Sequence, residues 1–322
     1  MNIQIKQFSD LSDSDLEVIR SNSFYAECSS SLGFQPLDIL YQQEYQKKTF
    51  ENETLIAFKG KFIKLILFSY NADDTFGLYD RPTKVFENFE NENERAEVFK
   101  LLIKFLKRTS LSKKQAAKLY YHESLAKGFY DNISSTEIES IGVVNLSLEE
   151  KSILSSVRKS YRSLINWGKN NLEIKIIDKN NPSEVMFNKF KDLHIEVAQR
   201  QTRSSESWRI QYDQILAGQA YTILGFLEGR LVTGALNILG KDTAVYGVAA
   251  SDRTLMADNK PIGHWPVLKS ILYAKDLGCR WYSLGNFQNS QNNSKLSEIQ
   301  KFKRGFCTEI LAKPVMYIDC NF

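Results

Sequence analysis

Residues 297–311 read SEIQKFKRGFCTEIL. Lys301, Lys303 and Arg304 share one charged helical turn, which runs into Gly305-Phe306 and then a strand-like stretch. Cations before a glycine at a sheet edge can hold an anion, or an oxygen that gains charge during a reaction. They can equally form a solvated surface turn. Arg158, Arg162 and Lys169 lie at i, i+4 and i+11, opposite the apolar stripe of one predicted helix. Such a face suits a diphosphate or a tRNA backbone, or simply water. Arg200 and Arg203, in QRQTR, stand just before a new helix, where guanidinium groups can grip a carboxylate or phosphate through two hydrogen bonds. His194 falls on the apolar stripe of the preceding helix, as a core histidine or a functional one.

Other chemistries find little support. The cysteines are Cys28, Cys279, Cys307 and Cys320, with no CxxC pair and no zinc spacing, and there are only three histidines, so no metal site is expected. No G-x-S-x-G elbow occurs. Cys307 reads as a small buried hydrophobe rather than a nucleophile. Lys plus Arg total 42 and Asp plus Glu 38, so the net charge is 42 − 38 = +4. That mild excess suits anionic small molecules and does not demand nucleic acid; DNA is not an expected partner. Sparse cysteine predicts a reducing compartment. The stretch MNIQIKQFSDLSDSD has no apolar signal core, and no apolar run reaches the roughly 18 residues of a membrane helix. A cytosolic protein with no membrane span is expected.

The positioning elements can be read from pattern. A length of 322 residues predicts two domains. In the second half, Ser147 and Glu150 form a capping box for one helix running to Gly168 and the asparagine pair after it, with Leu154, Val157, Tyr161 and Leu164 at helical spacing. LEIKIID is a strand, PSEVMFNKFKDLHIEVAQRQ a helix, and SESWRIQYDQILAGQ a helix stopped near Gly218. YTILGFLE, RLVTGALNILG and TAVYGVAAS are strands, the first two joined by a Glu228-Gly229 hairpin turn. DRTLMADNK is a loop, and Pro261 opens the next helix, with Pro266 in its first turn or kinking it. CRWYSLGNF and AKPVMYID are strands around the quoted stretch. In the first half NIQIKQF, TLIAFKG, KFIKLILFSYN, TFGLYDRP and AKLYYHES read as strands, and SDSDLEVIRSN, PLDILYQQEYQKK and ENERAEVFKLLIKFLKRTS as helices. The order repeats, so the expectation is two α/β units, residues 1–145 and 146–322, joined near residues 132–147.

This doubled order resembles the FemABX-like family of the GNAT acyltransferase superfamily. SVRKSYRSLINWGKNN is similar to the basic helix that opens that family's second domain, GHWPVLKSILYAKDLGCRWYSLGNF to its penultimate helix and strand, and FKRGF to its closing signature. These segments cover about half of the chain. The resemblance implies tandem GNAT-like domains, each a mixed sheet flanked by helices. It also implies transfer of an acyl or aminoacyl group to an amine by direct attack, through a tetrahedral intermediate. Lys303 matches the lysine of the FK signature, at the acyl centre, with Arg304 beside it. Gly263 and His264 stand at the helix N-terminus where GNAT enzymes bind the CoA diphosphate on backbone N–H groups. Here NKPIGHWP keeps a single glycine, and Pro261 and Pro266 remove donors. His264 would contact a phosphate or act on the acceptor amine. Tyr246 and Asn286 fall where the fold splays two strands around the acyl group, and Asp252 would orient or deprotonate the acceptor ammonium; a core tyrosine, a strand-end asparagine and a turn aspartate are the plain alternatives. Tyr79, Asp80 and Arg81 read as a turn before Pro82, or as an acceptor contact.

The resemblance thus implies a cytoplasmic transferase of the cell-envelope or surface-polysaccharide class, with no bound cofactor. Acyl-CoA is the expected co-substrate, and an amino sugar or nucleotide-linked precursor the acceptor. The alternatives are an aminoacyl-tRNA-dependent transferase of the peptidoglycan type, or a non-catalytic protein that binds a nucleotide sugar or RNA.

Overall fold

The computed structural model describes residues 2–72, 75–78, 81–109, 111–287 and 294–320. The chain forms two compact units, and neither is continuous. One comprises residues 1–30, 46–139 and 312–322, the other 31–45 and 140–311. A single cut near residue 145 therefore does not separate them. The segment expected to join two domains is instead a 13-residue strand, Ile133–Asn145.

In the first unit, Ile3–Gln7, Leu55–Lys59, Phe62–Leu67 and Val85–Glu87 form an antiparallel sheet. The Glu92–Arg108 helix covers it through Val98, Phe99, Leu102 and Leu106, which meet Leu55, Ala57, Leu65 and Leu67. Ala116–Tyr120 pairs antiparallel with residues 315–319 of the Glu309–Asp319 strand. The stretch read as the strand TFGLYDRP keeps only Thr75–Phe76 as strand; Tyr79 and Asp80 lie outside the described residues. A short helix, Ser23–Ser29, has no counterpart in the sequence pattern.

The second unit holds the sheet order Glu173–Ile177, Ala220–Leu227, Arg230–Leu239, Thr243–Ser251, Trp281–Asn286 and residues 140–145. Ala220–Leu227 reads as a nearly continuous apolar run, interrupted by Thr222 and Gly225, because both faces are covered. Tyr221 and Ile223 meet Ile165 and Val267, Leu268 and Ile271 on one side. Ala220, Leu224 and Phe226 meet Phe187, Phe190, Trp208 and Ile215 on the other. Glu228 and Gly229 both take positive φ, the conformation of a two-residue hairpin turn.

The predicted helix of residues 147–171 is broken. Glu150–Ser156 is followed by an extended Val157, and Tyr161–Asn171 starts anew. Glu149 is the N-cap of the first piece and no side chain caps it, so the expected Ser147–Glu150 box does not form. The cause of the break is long-range: the Arg158 N–H donates to the Gly305 carbonyl at 2.9 Å. Arg158 therefore leaves the helical face it was expected to share with Arg162 and Lys169. The expected loop after Ser251 contains a short helix, Arg253–Ala257. The next helix is His264–Asp276, so Pro261 precedes it and Pro266 is its third residue.

Candidate functional site

Thr243–Ser251 and Trp281–Asn286 run parallel for only three residue pairs, from Thr243–Trp281 to Val245–Ser283. Both strands are bulged where they part. Against its other neighbour the first slips between Val248 and Tyr246, leaving Gly247 as the extra residue. The second slips between Ser283 and Gly285, and Gly285 has φ +91. A bulge bends a strand and increases its twist. The sheet therefore opens beyond Tyr246 and Leu284.

Tyr246 lines a cavity of about 590 Å³ beside this opening. Its walls are largely apolar, from Leu164, Ile262, Pro266, Val267, Ile299 and Phe302. Gly263 and His264 line it too, and Arg253 and Lys260 lie on its exposed side. Gly263 is the N-cap of the His264–Asp276 helix, with no side-chain cap. The His264 ring stands edge-on to Tyr161 at 4.6 Å and to Phe302 at 5.1 Å. Its Nδ1 is buried and has no hydrogen-bond partner among the described residues. Burial pushes its pKa down, opposed in part by the Pro261 carbonyl, so the ring is neutral near pH 7.

Lys303 comes from the last turn of the Ser294–Arg304 helix. Its ammonium lies 5.4 Å from the centre of the Tyr246 ring and forms no ion pair among the described residues. A Cβ on Gly285 would sit 3.7 Å from it, an ordinary contact, so the positive φ rather than crowding favours glycine there. Burial lowers the Lys303 pKa, with Cys307 opposing, and burial raises that of Tyr246. Asn286 is exposed and follows Gly285. The structure thus gathers Lys303, Tyr246, His264 and Gly263 into one region, with Asn286 at its edge.

The remaining candidates are placed differently. Asp252 caps the Arg253–Ala257 helix, accepting from the Thr254 and Leu255 N–H groups at 2.9 and 3.1 Å, and pairs with Arg230 at 2.8 Å. Burial raises its pKa, but the Leu255 amide and Arg230 outweigh that and hold it below the usual carboxylate range. Both carboxylate oxygens are thereby engaged. His194 Nε2 lies 3.3 Å from Arg203 Nη1, and Arg203 Nε donates to the Tyr41 hydroxyl at 3.0 Å. The guanidinium lies over the Tyr45 and Trp208 rings. Burial and Arg203 together lower the His194 pKa. His194, on the Glu184–Ala198 helix, and Arg203, in the turn before the Ser205–Leu216 helix, form a group of their own beside Tyr41 and Tyr45. Arg200 and Arg304 are exposed. Arg162 donates to the Ser155 carbonyl at 3.2 Å. The Cys307 thiol is pushed up to about 11 by burial, which suits a packing role rather than a nucleophile. Among the described residues no group of His, Cys, Asp and Glu is arranged to hold a metal.

Three features escaped the sequence. Arg253 and Lys260 flank the cavity, and their charge within DRTLMADNK was the available signal. The Thr233 and Ser251 hydroxyls, 2.9 Å apart, line its wall. Tyr161, which looks like one more member of an apolar stripe, touches both His264 and the Lys303 turn.

No family profile matches the sequence, and no curated protein sequence matches it. Solved structures do. FemX superposes with a TM-score of 0.64 at 13% identity, over 99% of this chain and 97% of that one. A GNAT-family acetyltransferase from Colwellia psychrerythraea gives 0.53 at 13% identity, over 98% and 99%. A tandem GNAT protein from the clavulanic acid biosynthesis pathway gives 0.51 at 10% identity, over 99% of both chains. Identities this low speak to architecture, and the match runs over essentially the full length in each case. The chain therefore has the duplicated GNAT fold of FemX-like proteins.

Proposed function

We propose that this protein is an N-acyltransferase that moves an acyl group from CoA to the amine of an amino sugar or a nucleotide-linked envelope precursor. One observation carries the reading: the sheet parts at Tyr246, and the half-buried Lys303 ammonium, unpaired among the described residues, stands over that same residue. An unpaired buried cation is costly to maintain without an anion to meet. In acyl transfer that anion is the oxyanion of the tetrahedral intermediate, or the departing sulfur.

The step is R–CO–SR′ + R″NH₂ → R–CO–NHR″ + R′SH. The amine nitrogen bonds to the carbonyl carbon, and the carbon–sulfur pair leaves with sulfur. The neutral His264 imidazole accepts the proton released from nitrogen. Lys303, whose burial makes it a better acid than an ordinary lysine, stabilises the oxyanion and protonates the thiolate, with Tyr246 as the neighbouring hydroxyl. The apolar cavity suits a pantetheine arm. The helix N-terminus at Gly263 and His264 suits the diphosphate, although Pro266 supplies no N–H there; Arg253 and Lys260 add charge. Arg200, Arg203 and His194 are assigned to the acceptor, with Asn286 and Arg304 at the edge of the acyl site. Asp252 holds the loop that walls the cavity. Free thiols at all four cysteines accord with the cytosol, where CoA is available.

Thermal stabilisation by CoA, acetyl-CoA, a charged tRNA and UDP-linked amino sugars tests the donor and acceptor, because a ligand that binds only the folded state raises the melting temperature. A shift with CoA thioesters supports the reading; a shift with charged tRNA alone replaces the donor by aminoacyl-tRNA. Lys303→Ala then separates enzyme from binding protein. Loss of turnover by about 10²- to 10³-fold with donor affinity retained is the enzyme outcome. Equal loss of both makes it a binding protein.

A further inference from the structure

The Lys303 ammonium has no hydrogen-bond or ion-pair partner among the described residues, so something other than its own contacts must fix its position. The backbone around it is held tightly. Arg158 N–H donates to the Gly305 carbonyl at 2.9 Å, and Arg158 Nη2 donates to the Lys301 carbonyl at 3.3 Å. The Tyr161 hydroxyl is shared between the carbonyls of Lys301 at 3.4 Å and Phe302 at 3.3 Å, and it accepts from Arg158 Nη1 at 3.4 Å. The Arg158 guanidinium also lies over the Tyr161 ring at 5.1 Å. Carbonyls at a helix C-terminus lack partners within the helix, and a cation there also meets the negative end of the dipole. The same Tyr161 ring meets the His264 ring at 4.6 Å.

We propose that Arg158 and Tyr161 are positioning residues: their clamp on residues 301–305 sets where Lys303 carries its ammonium, and the Tyr161 ring sets His264 against the same turn. This rests on the reading of Lys303 as the cation of the reacting centre. It gives a reason for the helix break at residue 157: a continuous helix would withdraw the Arg158 N–H from Gly305. It also joins two separated sequence stretches, SVRKSY and FKRGF, in one device. Neither clamp residue needs to touch substrate.

The test follows Lys303 itself. The full-length protein is labelled with trinitrobenzenesulfonate across pH 7–11, and Lys303 and the exposed Lys301 are quantified by peptide mass spectrometry, with Lys301 as internal reference. In the wild type, Lys303 labels with a midpoint below the ordinary lysine value of about 10.4. In Tyr161→Phe, which keeps the ring and removes the hydroxyl, that midpoint rises by about 0.5 or more towards the ordinary value, while Lys301 keeps its profile. Arg158→Gln gives the same change, and Arg158→Lys restores part of it. An unchanged Lys303 profile in both Tyr161→Phe and Arg158→Gln overturns the proposal. So does an equal change at Lys301, which would mean general loosening. The labelling needs no turnover, so failure here is distinct from failure of the proposed function: a Lys303→Ala variant with full turnover would remove the catalytic role and leave this result standing.

Discussion

Replacing Gly305 by alanine sets two forces of opposite sign against each other. Gly305 does not have a positive φ, so chain entropy alone predicts that alanine stabilises by about 0.4–1 kcal/mol. Packing predicts the reverse. An alanine Cβ would lie 2.1 Å from Tyr161 Cε2 and 2.7 Å from Cζ, whereas carbon atoms in contact sit about 3.5–4.0 Å apart. Roughly 1.5 Å must therefore be opened at a ring already packed on His264, Phe302 and Phe306. Overpacking of this kind costs about 1–3 kcal/mol, and displacing the hydroxyl from its carbonyls adds about 1 kcal/mol per hydrogen bond. The net expectation is a loss of about 3 kcal/mol. All four tryptophans lie at residues 167–281, so urea unfolding followed by tryptophan fluorescence reports the second unit alone. Gly305→Ala should lower the midpoint without changing the slope. In a Tyr161→Ala background the same substitution should be neutral or stabilising, because the obstacle is gone. A Gly305→Ala protein as stable as the parent, or a cost that persists without the Tyr161 ring, would refute the steric reasoning.

Activity should depend on His264 in its neutral form. kcat/KM should rise with pH through a midpoint below the ordinary histidine value of about 6.5, and His264→Gln should abolish that limb; a limb that survives the substitution assigns the titration elsewhere. Asp252→Ala should cost about 1–2 kcal/mol at pH 7, from the lost cap and the lost Arg230 partner. Because the folded-state pKa of Asp252 is depressed, its contribution is present above the unfolded value of about 3.9 and fades as the pH falls through the folded value. Wild type and variant should therefore converge in acid unfolding below about pH 4. Ile223→Ala, at a fully buried position, should cost about 2–5 kcal/mol in the same fluorescence assay.

Much of this architecture is written locally. The strand Ala220–Leu227, the hairpin at Glu228-Gly229 and the stripe of Phe187 and Phe190 follow from side-chain period and turn chemistry, which depend only on near neighbours. What could not be read depends on partners far along the chain. The break at Val157 exists because Gly305, some 150 residues later, takes the Arg158 N–H. Residues 31–45 look like part of the first half, yet Asp38 accepts from Gln214 at 2.7 Å, a contact with no local signature. The strand Ile133–Asn145 hides behind serine, threonine and glutamate because its first half is largely exposed. At the site, Lys303 and His264 could be picked out by residue type and setting. Tyr161 could not, since a tyrosine that clamps a turn and one that fills a core look alike in sequence.

The discontinuity of the first unit has a consequence for the order of synthesis. Met316, Ile318 and Cys320 belong to the same buried cluster as Leu55, Leu65, Val98 and Leu102, and they are translated after all of residues 140–311. Until they emerge, that core lacks one wall and the Ala116–Tyr120 strand lacks its antiparallel partner. The first unit to be started is thus the last to be completed. Vectorial folding in the usual amino-to-carboxyl direction is closed to it, and the nascent chain must carry a half-built apolar surface through the translation of the whole second unit.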